Sequence, residues 1–362
     1  MEIVKNFFLI FIPLILIESL SQFIILNKGE KRYSIVFRPF VNQIDYFTGT
    51  VEYEVNWDYK NNKMTPGKFK HKNISYVINS KGFRGKEFKE VKDKFRILSF
   101  GGSTTIGLES PESKTYPYQL EEVLNQSYEE YEVINMGFGS KSLNFIKSLY
   151  INEAINYKPD IITIYSNRNS ILYDGGFSRK KINLKILKIT TYLQENVMTY
   201  RLLVKIFNRF NDIAVENKNL KSPFNKKGIS EDYLINGYKN TLLEIIEISK
   251  KNGVRVALIK QAYFIKPELQ KTINDYTINQ LIKLFREEYF IKNFNLTVEE
   301  NFWLILGTII NKNLDTLKDT NVVIIDPINN LITNKENFVD YLHLSPKGNS
   351  VLANEIYKKV FE

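Results

Sequence analysis

The stretch "RILSFGGSTTIG", residues 96–107, joins a short apolar run to two glycines, a serine and two threonines. The apolar run has the length and composition of a buried strand, and the glycines that follow predict a tight turn. Such a turn could cradle a phosphate, form a structural corner or present a nucleophile. A P-loop needs Lys and then Ser or Thr after its last glycine, whereas Leu108 and Glu109 stand there. The adjacent glycines do not fit the dinucleotide-binding pattern either, which leaves the corner and the nucleophile.

Four more apolar runs of this kind follow along the chain. They cover 131–136, 160–165, 254–260 and 321–326. Their length and β-branched content predict strands that are buried on both faces of a parallel sheet. Helical patterns separate them at 116–126, 142–157, 231–251 and 345–360. This alternation predicts an α/β fold, a three-layer α/β/α sandwich around a five-stranded parallel sheet.

The order of segments predicts three parts. A small β-rich preamble, 31–94, precedes a main domain, 95–362. The main domain has insertions at about 175–230 and 267–320, both too long for a single crossover helix. We interpret these insertions either as loops that cover a site at the carboxyl ends of the strands or as helices packed on the sheet edge.

The first 30 residues form an apolar N-terminal segment. Residues 6–26 are long enough to cross a bilayer as a helix of about 20 residues, although Pro13 and Glu18 interrupt them. We favour an uncleaved transmembrane anchor. A cleaved signal peptide remains the alternative, with its apolar core at 7–17.

The composition limits the possible chemistry. The chain of 362 residues has no cysteine and only two histidines, His71 and His343, which excludes disulfides, thiolate-bound zinc and a histidine-rich metal site. We therefore predict no metal and no cofactor. The net charge of +10 includes lysine runs at 68–73 and 178–188, but neither accompanies a nucleic-acid-binding motif. We interpret these runs as solvated surface and predict no nucleic-acid partner.

Ser103 follows the first strand of the main domain directly, at the sheet edge where a side chain can face a crevice. A serine hydroxyl needs an adjacent base to react at neutral pH, and His343 is the credible base. Asp340 precedes His343 by three residues, a spacing that allows its carboxylate to bond one imidazole nitrogen while the other faces the serine. The backbone amide of Gly137 and the side-chain amide of Asn169 follow the second and third strands and are candidate oxyanion donors.

These motifs resemble the SGNH branch of the GDSL hydrolases, from about Arg96 to the C-terminus. The family's four blocks correspond to "FGGST", "NMGFG", "YSNRNS" and "DYLH". The resemblance implies a flavodoxin-like sheet, Ser103 as nucleophile, His343 as base and Asp340 as its orienting acid. It also implies an oxyanion hole formed by the amide of Ser103 with Gly137 and Asn169. The turn "NSKGFRG", 79–85, looks like the layout of membrane-anchored bacterial members of the family.

The third block departs from the family pattern Gly-x-Asn-Asp. Asn167 stands in place of the glycine and Ser170 in place of the aspartate. Asn167 would need to tolerate a positive φ if the glycine's conformation were kept. Arg168, between Asn167 and Asn169, is either a surface cation or a group that reads an anionic substrate.

Together these observations predict a membrane-attached serine ester hydrolase of SGNH type that works through an acyl-enzyme. The expected substrates are acetylated envelope glycans or lipid esters, outside the cytoplasm of a bacterium. Two alternatives remain open: an O-acyltransferase that uses the same triad, and a catalytically inactive scaffold or glycan-binding protein.

Overall fold

The computed structural model describes residues 57–58, 63–71, 74–126, 130–174, 232–317 and 319–362. The predicted anchor, 1–30, and the first insertion, from residue 175 to residue 230, lie outside the described residues. Within the described part of the chain, no helix is both long and apolar enough to cross a membrane.

Two short antiparallel pairs of strands come first, in the preamble. Strand β1 (Trp57–Asp58) pairs with β2 (Lys63–Met64), and β3 (Gly67–His71) pairs with β4 (Ile74–Ile78). The turn after β4 is closed by backbone hydrogen bonds from Asn79 to Phe83 and from Gly82 to Asn79. Arg84 then forms isolated bridges to Ile78 and to the main sheet, so that this turn is joined to the sheet's edge.

The main sheet has five parallel strands, as the sequence predicts. They are β5 (Phe95–Gly101), β6 (Tyr131–Gly137), β7 (Ile161–Tyr165), β8 (Arg255–Ile259) and β9 (Val322–Ile325). Their spatial order is β6-β5-β7-β8-β9, so the first strand in sequence lies between the second and the third. This is the flavodoxin-like order, in which ligands bind beyond the carboxyl ends of the two strands where the order reverses. Those strands are β5 and β7.

Helices complete the described fold. They are α1 (Ser103–Ile106), α2 (Tyr116–Leu124), α3 (Leu143–Asn152), α4 (Arg168–Tyr173), α5 (Tyr238–Lys251), α6 (Pro267–Ile273), α7 (Ile278–Arg286), α8 (Tyr289–Phe294), α9 (Val298–Asp315), α10 (Ile328–Ile332) and α11 (Pro346–Phe361). The four predicted helical patterns appear as α2, α3, α5 and α11. The N-cap of α11 is Ser345, whose hydroxyl accepts a hydrogen bond from the amide of Gly348 at 3.2 Å.

Helices cover both faces of the sheet because successive side chains of a strand point to opposite faces. On one face, Ile97 and Ile161 pack with buried residues of α2 and α11, among them Leu120 and Leu352. On the other face, the ring of Phe100 contacts that of Tyr150 of α3, with 5.9 Å between their centroids. Strands buried on both faces explain why their sequences are continuously apolar.

The second insertion is helical rather than a loop. Helices α6 to α9 fill residues 267–315. Helix α9 is the longest of them, and it begins with a capping box in which Thr297 and Glu300 bond each other's backbone amides. This helix also reaches the carboxyl edge of the sheet, where it contacts Asn167 and Arg168.

Candidate active site

The turn after β5 presents Ser103 at the carboxyl edge of the sheet. The strand ends at Gly101, and Ser103 begins the single-turn helix α1. Gly107 ends that helix in the left-handed region, at φ 72°, where its amide donates to the carbonyl of Ser103 at 3.0 Å. Ser103 is half-buried, while Thr104, Thr105 and Ile106 are buried behind it.

Two buried side chains bond the carbonyl groups at the end of α1. The guanidinium of Arg84 donates to the carbonyl oxygens of Ile106, Gly107 and Ser110 at 2.7, 2.6 and 2.8 Å. The side-chain amide of Asn135 donates to the carbonyl of Thr105 at 3.0 Å. A helix end leaves its last carbonyls without partners, and these bonds supply the partners inside the protein. These hydrogen bonds stabilise α1 and the turn after it, and with them the position of Ser103.

Arg84 is deeply buried for a charged residue, with 2% of its surface exposed. Its guanidinium stacks on the ring of Tyr76 at 4.8 Å. Burial lowers the pKa of Arg84 to about 10, against the opposing effects of Glu112 and Tyr76. The sequence analysis assigned no function to this residue, although the turn "NSKGFRG" that contains it was recognised as typical of anchored family members.

The loop 338–345 places Asp340 and His343 opposite Ser103. Buried Leu342 and Leu344 anchor the loop in the core. The amide of Val339 donates to the carbonyl of His343 at 2.8 Å, which closes the loop. His343, between these two anchors, is partly exposed, and Asp340 is exposed.

Ser103, His343 and Asp340 form a continuous hydrogen-bonded chain. Ser103 Oγ lies 2.9 Å from His343 Nε2, and His343 Nδ1 lies 2.7 Å from Asp340 Oδ2. The other carboxylate oxygen of Asp340 accepts the backbone amides of Leu342 and His343, each at 2.7 Å. The structure thus brings together the three residues that the sequence analysis singled out.

The lowered pKa of Asp340 indicates which ring nitrogen of His343 carries the proton. Burial acts to raise this pKa, but the hydrogen bond and charge of His343, with the two backbone amides, outweigh burial and lower it to about 2. Asp340 is therefore ionised at neutral pH and accepts the proton of Nδ1. In a neutral imidazole Nε2 then has a free lone pair, directed at the Ser103 hydroxyl.

Gly137, one of the three predicted oxyanion donors, has another role. Its amide donates to Asn135 Oδ1 at 3.0 Å and is therefore not free for a substrate. A Cβ atom at Gly137 would lie 2.2 Å from the backbone nitrogen of Ile106, closer than non-bonded atoms can approach. The glycine allows β6 to pack against α1. The sequence pattern could not distinguish this packing role from that of a donor.

Asn169 lies beside the nucleophile turn, as predicted. Its Nδ2 atom is 2.7 Å from the position that a Cβ atom on Gly102 would occupy. Asn169 is partly exposed. The amide nitrogen of this side chain and the backbone of the residue before Ser103 are therefore neighbours at the mouth of the site.

Asn167, which replaces the family's glycine, is bound into a buried polar network. Its φ is −148°, so the residue needs no left-handed conformation. Its Nδ2 donates to the carbonyl of Gly307 at 3.0 Å and to Asn311 Oδ1 at 3.1 Å, and its Oδ1 accepts from the hydroxyl of Tyr263 at 3.1 Å. Helix α9 of the insertion thus supports the strand end where the third block lies.

Ser170, which replaces the family's aspartate, caps α3 instead. Its hydroxyl accepts the amide of Leu143 at 3.0 Å. A carboxylate is nonetheless present one helical turn later: Asp174 accepts from the Ser142 hydroxyl at 2.7 Å and from the Asn144 amide at 3.1 Å. A negative charge at a helix N-terminus is stabilising, so Asp174 supplies at α3 the charge that Ser170 lacks.

Among the described residues, no group of three His, Cys, Asp or Glu side chains could hold a metal ion. The arrangement instead provides a hydroxyl, an imidazole and a carboxylate in series, which is the apparatus of nucleophilic acyl transfer.

Comparisons with known proteins place hydrolases among the similar solved structures. No protein-family profile matches the chain, and no curated protein matches its sequence. An α/β hydrolase from the metagenome of Lake Arreo, Spain, is 11% identical, with a TM-score of 0.42, over 75% of this chain and 96% of its own. The acetylxylan esterase Axe2 of Geobacillus stearothermophilus is 13% identical, with a TM-score of 0.41, over 76% and 97%. A protein of Desulfitobacterium hafniense assigned to the lipolytic G-D-S-L family is 12% identical, with a TM-score of 0.37, over 74% and 100%.

The G-D-S-L hydrolases that the sequence resembles are thus among these structures. At such identities and TM-scores the matches do not decide the chemistry, which rests on the side chains described above.

Replacing Arg84 by Met tests its role under α1. The variant removes the three hydrogen bonds that the guanidinium donates to the carbonyls of Ile106, Gly107 and Ser110, and we expect the free energy of unfolding to fall by about 3 kcal/mol. Urea denaturation monitored by circular dichroism measures this change. Arg84→Lys keeps the charge but cannot bond three carbonyls in one plane, and an intermediate loss is expected. Equal stability of all three proteins would contradict the role.

The lowered pKa of Asp340 predicts how stability depends on pH. A carboxyl whose pKa is about 2 in the folded protein and about 3.9 when unfolded stabilises the fold above that unfolded value, and this contribution is lost as pH falls toward 2. The difference in urea midpoint between the wild type and Asp340→Asn should therefore be larger at pH 5 than at pH 3, and should shrink below about pH 4. A difference that grows on acidification would exclude this explanation.

Proposed function

We propose that this protein is a serine ester hydrolase of the SGNH type, which works through an acyl-enzyme on Ser103. The observation that carries the proposal is the chain of hydrogen bonds from Ser103 through His343 to Asp340, with distances of 2.9 and 2.7 Å. A hydroxyl, a base and an ionised acid in this order are sufficient to activate a serine.

In the proposed first step, Ser103 Oγ attacks the carbonyl carbon of the ester while its proton passes to His343 Nε2. The negative charge of Asp340 stabilises the imidazolium through Nδ1–H. The carbonyl oxygen becomes an oxyanion, which the backbone amide of Ser103 and Nδ2 of Asn169 stabilise. Collapse of the tetrahedral intermediate breaks the bond to the alcohol oxygen, and His343 returns the proton to that leaving group.

In the second step, water gives its proton to His343 and attacks the acyl carbon, which releases the acid and restores Ser103. A sugar hydroxyl could replace the water, and the protein would then transfer the acyl group. The residues required are the same in both cases. Partition of the acyl group between water and added alcohols, followed by product analysis, separates hydrolysis from transfer.

We further propose, from the apolar segment 6–26, that the chain is anchored in a membrane and acts on acyl esters of bacterial envelope glycans or lipids. This proposal about substrate and location rests on the sequence. Accessibility of the main domain to protease in intact cells tests the location.

Covalent labelling tests the nucleophile directly. The full-length chain in detergent should react with a fluorophosphonate, and mass spectrometry should find the adduct on Ser103. Ser103→Ala and His343→Ala should abolish the adduct, whereas Ser350→Ala, a control in α11, should leave it intact. A well-folded protein that forms no adduct would instead favour the inactive scaffold.

Asp340→Asn tests the proposed tautomer. The asparagine Oδ1 can still accept the two backbone amides, but its NH₂ group faces Nδ1 and donates to it. The imidazole proton then moves to Nε2, which can no longer accept from Ser103. Hydrolysis of 4-nitrophenyl acetate should fall about 10³- to 10⁴-fold in kcat. Circular dichroism at pH 7 should show that the variant is still folded under the assay conditions, despite its lower stability. Activity close to wild type would refute this role for Asp340.

A further inference from the structure

The guanidinium of Arg168 lies between two aromatic rings at the edge of the proposed active site. Its Cζ atom is 4.4 Å from the ring centroid of Trp303 and 5.8 Å from that of Tyr341. Trp303 belongs to α9, and Tyr341 stands between Asp340 and His343 in the loop of the triad. Arg168 itself directly precedes Asn169, the proposed oxyanion donor. Arg168 is thus next to Asn169 in the sequence, and its guanidinium contacts the residue that lies between Asp340 and His343.

Arg168 has no anionic partner in the described part of the chain. No carboxylate of these residues lies within ion-pair distance of it, and its Nε is buried without a hydrogen-bond partner. The nearby carboxylate of Glu299 bonds the rings instead, since it accepts from Trp303 Nε1 at 3.3 Å and from the Tyr341 hydroxyl at 3.4 Å. Glu299 thereby holds both rings in place around Arg168.

Two other arginines of the described residues, Arg84 and Arg96, are deeply buried, and each of them donates several hydrogen bonds to protein acceptors. Arg84 bonds three carbonyls, as described above. Arg96 bonds the carboxylate of Glu132 at 2.6 Å and the carbonyls of Tyr157 and Lys89 at 2.6 and 2.7 Å. A guanidinium carries five N–H donors, and removing them from water without acceptors is costly. Arg168 is partly exposed, and within the described part of the chain only its Nε is both buried and without an acceptor. Its terminal N–H groups are open to solvent and so available to an anion.

We propose that Arg168 binds an oxyanion of the substrate, a carboxylate or a phosphate carried close to the ester bond. This inference rests on the proposed function, because it assigns a part of the substrate to the same site. The planar guanidinium can bond two oxygens of such a group at once, which a Lys cannot do. The rings of Trp303 and Tyr341, at 4.4 and 5.8 Å, attract the guanidinium through their π faces and so help to hold it at this position. Arg168 would thus select anionic esters over neutral ones.

Fluorescence of Trp303 detects binding without any turnover. The chain has two tryptophans, so Trp57→Phe leaves Trp303 as the single reporter. Phenyl phosphate and benzoate, titrated at constant ionic strength in the full-length protein, should change its emission saturably, whereas benzyl alcohol should not. The change should disappear in Trp57→Phe/Arg168→Met. It should persist in Trp57→Phe/Arg255→Met, which removes an exposed cation at the start of β8, on the opposite edge of the sheet.

Kinetics on matched esters measures the selectivity. Phenyl acetate, 4-acetoxybenzoate and 4-acetoxyphenyl phosphate share the scissile bond and differ in charge. Arg168→Met should lower the ratio of kcat/KM for an anionic ester to that for phenyl acetate by about 10- to 100-fold, mainly through KM. Arg168→Lys should give an intermediate ratio, and Arg255→Met an unchanged one. Because each ratio compares two substrates on one protein, a partly unfolded variant does not distort it.

The outcomes separate the inference from the function on which it rests. Emission changes that require Arg168, in a protein that cleaves none of the esters, would remove the proposed function and keep the anion site. Ester cleavage with neither the ratio nor the emission dependent on Arg168 would overturn the anion site alone. The larger effect, with the benzoate or with the phosphate, identifies which oxyanion the site takes.

Discussion

The site depends on how closely the backbone of α1 approaches the ends of β5 and β6. A Cβ atom at Gly101 would lie 1.9 Å from Thr105 Oγ1 and 2.5 Å from the carbonyl oxygen of Tyr165. Gly137 makes a similar approach to Ile106. Glycines at these two positions let the chain turn at once from strand to helix, with no side chain in between. Ser103 is consequently held at the point where the strand order reverses, rather than on a mobile loop.

Such close packing hides the carbonyl groups of α1 from water, and the preamble resolves the problem. Arg84 reaches from the turn after β4 to three of these carbonyls, and Asn135 reaches a fourth from within β6. Buried carbonyls without donors cost free energy, so Arg84, in the described turn after β4, stabilises the nucleophile turn. The preamble is therefore a structural part of the site, and the predicted boundary near residue 94 does not separate two functions.

The sequence predicted the five strands and four of the helices because strands buried on both faces have an unmistakable composition. It also predicted that Ser103, His343 and Asp340 would meet, since each follows or precedes an element whose position the fold fixes; their chemical roles remain predictions. Arg84 was missed because a lone arginine in a turn looks like a surface residue until its burial is known. Gly137 was predicted as an oxyanion donor, but its amide donates to Asn135 Oδ1. A sequence does not show which acceptor a backbone amide bonds.

The departures in the third block and the second insertion explain each other. A glycine at position 167 would remove the hydrogen bonds that Asn167 makes to the carbonyl of Gly307, to Asn311 Oδ1 and to the hydroxyl of Tyr263. Helix α9 therefore supplies two of the three hydrogen-bond partners of the Asn167 side chain. The same helix carries Trp303 to the guanidinium of Arg168. Helix α9 thus both bonds the side chain of Asn167 at the end of β7 and brings Trp303 beside Arg168.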